Sequence, residues 1–217
     1  MDEIKKKKIL SIIDHTLLNP NAEEDMLFRL AEESLEYHTA SVCVMPCAVK
    51  KLREKYQDTL TICTVIGFPL GYQTTEAKKA EAENALAEGA DELDMVMNRF
   101  LLKNGGDDEV TKEIREIKEI CGEKILKVIV ESCDLSEEEK IRACRCVSAG
   151  GADFIKTSTG FGKGGAVLAD VELFRNHIDK NVKIKAAGGI RRVVDLEAFF
   201  DAGCDRIGAS CGVEVLK

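Results

Sequence analysis

The chain has 217 residues, of which 45% are hydrophobic and 32% are charged, and its formal net charge is −8 at pH 7. This length fits a single globular domain, and the apolar fraction is large enough to form a substantial core. No apolar run approaches the roughly 18 residues that a membrane helix needs, and an acidic chain without a basic stripe argues against nucleic-acid and membrane partners.

Eight short β-rich runs alternate with helical stretches along the whole chain. A short N-terminal helix is predicted over residues 2–10. Amphipathic helices are predicted between the β-rich runs, including one over residues 110–121 with apolar positions at helical spacing and one that opens with a capping box formed by Ser136 and Glu139. The strands are predicted at residues 12–16, 41–44, 61–67, 92–97, 125–131, 153–158, 182–186 and 205–209.

Three helix-to-strand junctions share one pattern, in which a glycine stands where a helix C-cap belongs and an aspartate precedes the next strand. They are Gly89-Ala90-Asp91, Gly151-Ala152-Asp153 and Gly203-Cys204-Asp205. The repeat indicates one recurring βα unit. Eight such units without a linker predict an α/β fold with one domain over residues 1–217, a (β/α)₈ TIM barrel. An open doubly wound sheet has the same strand count and remains an alternative.

The cysteines and histidines indicate a reduced protein without a metal. Nine cysteines include no CxxC pair, and the three histidines are scattered, so neither a disulfide framework nor a zinc site is expected. The first apolar stretch ends at Asp14, which is too early for a signal peptide. We therefore expect a cytoplasmic protein that uses no metal or other cofactor.

Charged side chains occupy the positions that should face the interior of the barrel. Alternate residues of a barrel strand point inward, and the apolar alternation of each predicted strand identifies the set that faces the helices instead. A structural ion-pair network would explain any single buried lysine, but charges from five strands meeting at one place favour a chemical task. The side chains predicted to point inward include Asp14, Thr16, Asp94, Lys127, Glu131, Lys156 and Lys185.

Paired lysines suit Schiff-base chemistry. An amine attacks a carbonyl carbon only when it is neutral, and an ordinary lysine is almost fully protonated at neutral pH. A second ammonium group nearby, together with partial desolvation, lowers a lysine pKa and frees the lone pair. Lys156 and Lys185 lie on neighbouring predicted strands and suit this relation, and Asp94 is suited to move protons.

Glycine-rich segments follow the last three predicted strands. They contain Gly160, the pair Gly188-Gly189, and Gly208 shortly before Ser210. In many barrels the backbone N–H groups of such loops hold a phosphate, because glycine lets the backbone approach the ligand closely. These loops therefore predict a phosphate-binding site at the carboxyl ends of the strands.

An ordered set of motifs resembles the deoxyribose-phosphate aldolase family from Asp14 to Gly212. The resemblance implies a TIM barrel that cleaves 2-deoxy-D-ribose 5-phosphate reversibly to D-glyceraldehyde 3-phosphate and acetaldehyde, through a lysine Schiff base and without metal. The motifs are Asp14-His15-Thr16-Leu17, Val42-Cys43-Val44, Gly67-Phe68-Pro69, Asp91-Glu92-Leu93-Asp94-Met95-Val96, Leu126-Lys127-Val128-Ile129, Phe154-Ile155-Lys156-Thr157-Ser158-Thr159-Gly160, Lys185-Ala186-Ala187-Gly188-Gly189-Ile190-Arg191 and Arg206-Ile207-Gly208.

The resemblance also implies roles for individual residues. Lys156 matches the Schiff-base lysine, Lys185 the lysine that perturbs it, and Asp94 the acid of the proton relay. Two positions depart from the family pattern and bear on the phosphate contacts: Cys211 replaces a second serine, and Lys163 replaces a small polar residue. The residues that match the substrate and phosphate contacts are Asp14, Thr16, Lys127, Gly160, Gly188, Gly189 and Ser210.

Other functions remain compatible with these residues. They are another Schiff-base aldolase or transaldolase that acts on a ketose, a phosphate-binding barrel isomerase that uses acid–base chemistry alone, and a catalytically silent sugar-phosphate sensor. The expected ligands are a small sugar phosphate and aldehydes. A homodimer and a homotetramer are both possible.

Overall fold

The structure is a computed structural model that describes residues 1–217, and it contains a closed barrel of eight parallel strands in chain order. The last strand pairs with the first, with Ile207 opposite Ile13, so the sheet has no free edge. The predicted (β/α)₈ TIM barrel is confirmed, and the alternative of an open sheet is wrong. The strands are β1 Ile13–Leu17, β2 Ser41–Val44, β3 Ile62–Ile66, β4 Glu92–Val96, β5 Ile125–Ile129, β6 Phe154–Lys156, β7 Lys183–Ala187 and β8 Arg206–Ala209.

Ten α-helices accompany the strands, and none of them is long and apolar enough to cross a membrane. The predicted N-terminal helix is confirmed, and the side chain of Asp2 caps it by accepting a hydrogen bond from the Lys5 N–H at 2.7 Å. The helices are α1 Glu3–Leu10, α2 Glu24–Tyr37, α3 Val49–Tyr56, α4 Thr75–Ala87, α5 Arg99–Lys103, α6 Asp107–Cys121, α7 Glu137–Ala149, α8 Leu168–His177, α9 Val193–Asp201 and α10 Gly212–Leu216.

Local sequence signals explain where two of these helices begin. Helix α6 starts at Asp107, three residues before the predicted start, because three acidic residues in its first turn interact favourably with the positive end of the helix dipole. Helix α7 begins with the predicted capping box. The Glu139 N–H donates to Ser136 Oγ at 3.2 Å, and the Ser136 N–H donates to the Glu139 carboxylate at 2.8 Å.

The repeated glycine–x–aspartate junctions tie neighbouring strands together at their amino ends. All three glycines have a positive φ, as a helix C-cap requires. Each aspartate carboxylate also accepts a hydrogen bond from a backbone N–H of the preceding strand, which links β4 to β3, β6 to β5 and β8 to β7. The acceptor and donor pairs are Asp91 with Ile62 at 2.9 Å, Asp153 with Leu126 at 2.8 Å and Asp205 with Ile184 at 2.9 Å.

The apolar core lies between the strands and the helices. The residues of the strands that point outward, such as Leu93 on β4 and Val128 on β5, are fully buried in this core. The barrel interior is instead charged, because the alternate residues Asp94 and Lys127 point inward and have no exposed surface. The inward placement predicted from strand parity is therefore confirmed for these two strands.

Candidate active site

Charged side chains fill the interior of the barrel as one ion-pair network. Neighbouring strands place charged residues side by side. Asp94 on β4 pairs in register with Lys127 on β5, and Lys156 on β6 pairs in register with Lys185 on β7. A buried charge is costly unless it is paired, so these side chains stabilise one another. The network consists of the carboxylates of Asp14, Glu92 and Asp94 and the cations of Lys127, Lys156, Lys185 and Arg206.

Asp94 is the centre of the network. Its Oδ1 accepts a hydrogen bond from Lys127 Nζ at 2.8 Å, and its Oδ2 accepts one from Lys156 Nζ and one from Lys185 Nζ, both at 2.7 Å. Burial alone would raise the pKa of Asp94, but the three lysines outweigh burial and hold the pKa well below its usual range. Asp94 is therefore a carboxylate in the resting protein, close enough to Lys156 to accept its proton.

Asp14 supports Lys185 from the other side. Its carboxylate accepts a hydrogen bond from Ser41 Oγ at 2.7 Å and is ion-paired with both Lys185 and Arg206. Burial would raise the pKa of Asp14, but Lys185, Lys127 and Arg206 lower it below its usual range. Asp14 is therefore also ionised.

Lys185 and Lys127 are held as ammonium groups. Burial disfavours their charged form, but Asp14 and Asp94 raise the pKa of Lys185 above its usual value. Asp94 also raises the pKa of Lys127 well above its usual value, with smaller contributions that include Glu92, whose carboxylate lies 2.7 Å from Lys127 Nζ. Both lysines therefore keep their protons at neutral pH and cannot act as nucleophiles.

Lys156 differs from these two lysines in its surroundings. Its one carboxylate contact is Asp94, whereas Lys185 contacts two carboxylates and Lys127 contacts three. Lys156 also lines a cavity of about 350 Å³, which neither of the other two lysines does. Of these three interior lysines, it is the one that a small ligand can reach.

The cavity opens at the carboxyl ends of the strands, where TIM-barrel enzymes hold their substrates. Its wall includes residues at the ends of β1, β6, β7 and β8, and its volume suits a small sugar phosphate. Six of the residues singled out in the sequence line it: Thr16, Lys156, Gly160, Gly188, Gly189 and Ser210. Four others are buried behind Lys156 and do not line it: Asp14, Asp94, Lys127 and Lys185.

The glycine loops form part of the wall of the cavity that Lys156 also lines. Gly188 and Gly189 both have a positive φ, at 87° and 77°, which side chains rarely adopt. The loop after β6 packs directly on this pair, because the Ala166 N–H donates to the Gly188 carbonyl at 3.0 Å and a Cβ on Gly165 would overlap the same carbonyl. The backbone of β7 is thereby fixed where it faces the cavity.

The two positions that depart from the family pattern do not line the main cavity. The sulfur of Cys211 lies 3.8 Å from the carbonyl oxygen of Arg191, so the thiol points toward the backbone. Lys163 lines a neighbouring recess of about 260 Å³, together with Arg99 and Glu131, and this recess shares Thr159 and Phe161 with the main cavity. Neither side chain is placed to replace a backbone contact to a ligand beside Gly188.

Glu131, which strand parity predicts to point inward beside Lys127, lies away from the lysine network. The backbone turns at this residue, with φ at 52°, so strand parity no longer applies. Its carboxylate accepts hydrogen bonds from the N–H and hydroxyl of Thr159 and lies 3.6 Å from Arg99. Glu131 therefore supports the loop after β6.

Two members of the network were not singled out from the sequence. Glu92 lies two residues before Asp94, and Arg206 lies two residues before Gly208, so the same strand parity places both inside the barrel. Strand parity could therefore have identified both residues as inward-facing. The cavity residues Leu18 and Asn19 lie in a loop after β1, where no periodicity exists to identify them.

Two groups of side chains have the composition of a metal site, and they share Cys63. In one of them Asp14 and Glu92 are ion-paired with Lys127 and Arg206, which disfavour a further cation. The other group contains Asp94. Cys43 and Cys63 are opposite each other on β2 and β3, and their sulfurs lie within 4.8 Å of each other and of an Asp94 oxygen. Sequence spacing did not show this pair because the two cysteines come from different strands. The oxygens of Asp94 already accept hydrogen bonds from three lysines, and these ammonium groups would repel a further cation, so this group does not suit a metal ion.

Comparisons with known proteins agree with this geometry. A family model described as DeoC/LacD family aldolase matches residues 8–217. A deoxyribose-phosphate aldolase of Clostridium botulinum is 55% identical over 210 residues, which cover 97% of this chain and 95% of that protein. A deoxyribose-phosphate aldolase of Clostridioides difficile is 49% identical over 211 residues, which cover 97% and 96%.

Solved structures give the same result. An aldolase called QR15 superposes with a TM-score of 0.91 at 38% identity, covering 96% of this chain and 94% of that one. A deoxyribose phosphate aldolase from Aeropyrum pernix, described as having a unique tetrameric structure, superposes with a TM-score of 0.88 at 31% identity, covering 97% and 90%.

Proposed function

Since the chain belongs to the DeoC/LacD family of aldolases and cleaves deoxyribose phosphate by an aldol reaction, we propose that Lys156 is the amine that forms the Schiff base. One observation carries this assignment. Lys156 alone among the three lysines around Asp94 combines a place on the cavity wall with a single carboxylate contact. Family membership also sets aside the isomerase and the silent sensor as alternatives.

The substrate is 2-deoxy-D-ribose 5-phosphate and the products are D-glyceraldehyde 3-phosphate and acetaldehyde. The Lys156 lone pair attacks the C1 aldehyde carbon of the open-chain sugar, and loss of water gives an iminium ion. The C3 hydroxyl then loses its proton, the C2–C3 bond breaks, and its electron pair moves toward the iminium nitrogen to give an enamine. Protonation at C2 and hydrolysis release acetaldehyde and restore the amine.

Asp94 moves the protons of imine formation. Its Oδ2 is 2.7 Å from Lys156 Nζ, so it accepts the proton that the nitrogen loses as the C–N bond forms and returns it when water leaves. Because the lysines hold its pKa well below the usual range, Asp94 carries this proton only briefly. Lys185 remains an ammonium group beside the same oxygen and disfavours a second positive charge on Lys156.

The remaining predicted residues bind the sugar phosphate or support those that bind it. Thr16 and Gly160 contact the sugar at the cavity wall, and backbone N–H groups around Gly188, Gly189 and Ser210 hold the phosphate. Arg191, at the same end of the cavity, adds positive charge. Asp14 and Lys127 act from behind the cavity by fixing Lys185 and Asp94.

The proposal includes the organisation and location of the chain. Residues 1–217 act as one catalytic domain, and the nine free cysteines fit the reducing cytoplasm. The chain assembles as a homodimer or a homotetramer, by analogy with the tetrameric relative from Aeropyrum pernix. Light scattering after gel filtration distinguishes these states from a monomer. A monomeric mass would contradict the proposed assembly.

The proposed function is tested by cleavage of 2-deoxyribose 5-phosphate, followed by detection of both products. Lys156→Leu is expected to lose activity and to keep the fold measured by circular dichroism. Lys180→Leu, which removes an exposed lysine of the loop before β7, is the matched control and keeps wild-type activity. Full activity in Lys156→Leu would assign the nucleophile elsewhere. Activity with dihydroxyacetone phosphate but not acetaldehyde as donor in the synthetic direction would contradict the substrate.

A further inference from the structure

We propose that Arg206 and Glu92 are positioning residues for catalysis, because together they set the charge of the barrel interior and thereby the pH range in which Lys156 is a free amine. The inference rests on the proposed role of Lys156. Neither residue lines the cavity, so both act through the network and touch no substrate.

The two side chains form a closed contact across the barrel. Arg206 is the first residue of β8 and Glu92 is the first residue of β4, on the opposite side of the ring. The guanidinium donates two hydrogen bonds to the Glu92 carboxylate, at 2.9 and 3.1 Å. The same guanidinium also donates to Asp14, and the second oxygen of Glu92 lies 2.7 Å from Lys127 Nζ. Glu92 therefore contacts Lys127 directly, and Arg206 is linked to Lys185 through Asp14, so both act on lysines that contact Asp94.

A count of charges shows what the pair contributes. When the thiols of Cys43 and Cys63 are neutral, three carboxylates face four cations. The interior then carries one net positive charge when Lys156 is protonated and none when it is neutral. An uncompensated charge in a buried site is costly, so removing one cation or one anion from this set changes the cost of placing a proton on Lys156. The groups that face this network from all eight strands are Asp14, Cys43, Cys63, Glu92, Asp94, Lys127, Lys156, Lys185 and Arg206.

The thiols require a separate control. Burial and the neighbouring Cys43 raise the pKa of Cys63 well above its usual value, so Cys63 is a neutral thiol. The hydrogen bond from Cys63 lowers the pKa of Cys43, which makes Cys43 the one further group able to add a negative charge. Cys43→Ser removes that possibility and leaves the carboxylates and cations in place.

The proposal predicts shifts of opposite sign for two neighbouring substitutions. Arg206→Met removes a positive charge, so Lys156 holds its proton more strongly and the ascending limb of the kcat/KM pH profile moves to higher pH. Glu92→Gln removes a negative charge and moves the limb to lower pH. Two unit charges roughly 10 Å apart at an effective dielectric constant of about 20 give a shift of about one pH unit.

The experiment measures kcat/KM from pH 6 to pH 10 for wild type and a matched set of variants. Arg206→Lys keeps the charge and should keep the limb within about 0.3 pH units of wild type. The double variant Arg206→Met with Glu92→Gln removes one charge of each sign and should also return the limb to the wild-type position. Cys43→Ser should leave the limb unchanged. Glu92→Gln is nearly isosteric, so it keeps the test informative if Arg206→Met does not fold.

Two results would overturn the inference. In the first, both Arg206→Met and Glu92→Gln lose activity, but the ascending limbs of their pH profiles do not move or move in the same direction. The pair would then have only a structural role. A limb that moves in Cys43→Ser and in neither of the others would assign the charge setting to Cys43. Borohydride reduction with acetaldehyde is run in parallel. If it does not label Lys156, the proposed function fails, whereas labelling of Lys156 with unmoved limbs rejects the charge setting alone.

Discussion

Replacing Lys185 with leucine tests whether a second ammonium group keeps Lys156 reactive near neutral pH. The Nζ atoms of both lysines lie 2.7 Å from the same oxygen, Oδ2 of Asp94, so the two nitrogens are separated by at most twice that distance. Lys185 is protonated throughout the working pH range because Asp14 and Asp94 outweigh burial and raise its pKa. Its positive charge therefore opposes protonation of Lys156 at short range.

The size of the effect follows from this separation. Two unit charges about 5 Å apart at an effective dielectric constant of about 20 repel by about 3 kcal/mol, which corresponds to roughly two pH units. In Lys185→Leu this repulsion is lost, and Asp14 and Asp94 lose one of their cations, which acts in the same direction. The ascending limb of the kcat/KM pH profile should move up by as much as roughly two units, with activity near pH 7 lost and partly recovered at alkaline pH.

The control for this prediction lies on the same strand. Lys183 is exposed at the amino end of β7, and its Nζ lies 5.6 Å from the centroid of the Phe154 ring, outside the network around Asp94. Lys183→Leu should keep the wild-type pH profile, and circular dichroism establishes that both variants are folded. A Lys185→Leu profile that is lower than wild type by the same factor at every pH would refute the reasoning and assign Lys185 a binding or positioning role.

Three further predictions follow from the described contacts. Lys78→Met leaves the buried carboxylate of Glu113 without the ammonium group that lies 2.9 Å away, so urea unfolding should show a loss of about 3–5 kcal/mol; a change below about 1 kcal/mol would contradict it. Cys211→Ser should change the preference for phosphorylated over unphosphorylated deoxyribose by less than about tenfold, because the thiol points toward the Arg191 carbonyl; a larger gain would make a hydroxyl an essential phosphate contact. Chelation with EDTA should leave activity unchanged, since the ammonium groups around Asp94 disfavour a metal ion; loss on chelation with recovery on adding zinc would overturn this.

Local sequence patterns predict much of the fold, and strand parity predicts much of the charged interior. All eight predicted strands lie within two residues of the observed ends, because β-rich runs alternate with helical stretches bounded by glycine. Parity also placed Asp94, Lys127, Lys156 and Lys185 on the inner face, where the structure has them. Strand parity predicts the direction of a side chain where the backbone stays extended.

The same signal fails where the backbone turns or where chain-distant residues meet. Strand parity predicts Glu131 beside the lysines, but its positive φ ends the strand and turns its carboxylate toward Thr159. The pair Cys43 and Cys63 depends on the register between two strands, which the sequence alone does not give. The cavity residues after β1 lie in an irregular loop without any period to read. These features come from the tertiary structure, not from local propensity.

The proposed nucleophile is tested most directly by reductive trapping. Wild-type protein is incubated with acetaldehyde, reduced with borohydride, digested and mapped by mass spectrometry. We expect one added ethyl group on the peptide that contains Lys156, and none on the peptides that contain Lys78, Lys127 or Lys185, which are buried and do not line the cavity. A label on Lys185, or labels confined to exposed lysines, would contradict the assignment of Lys156 as the Schiff-base lysine.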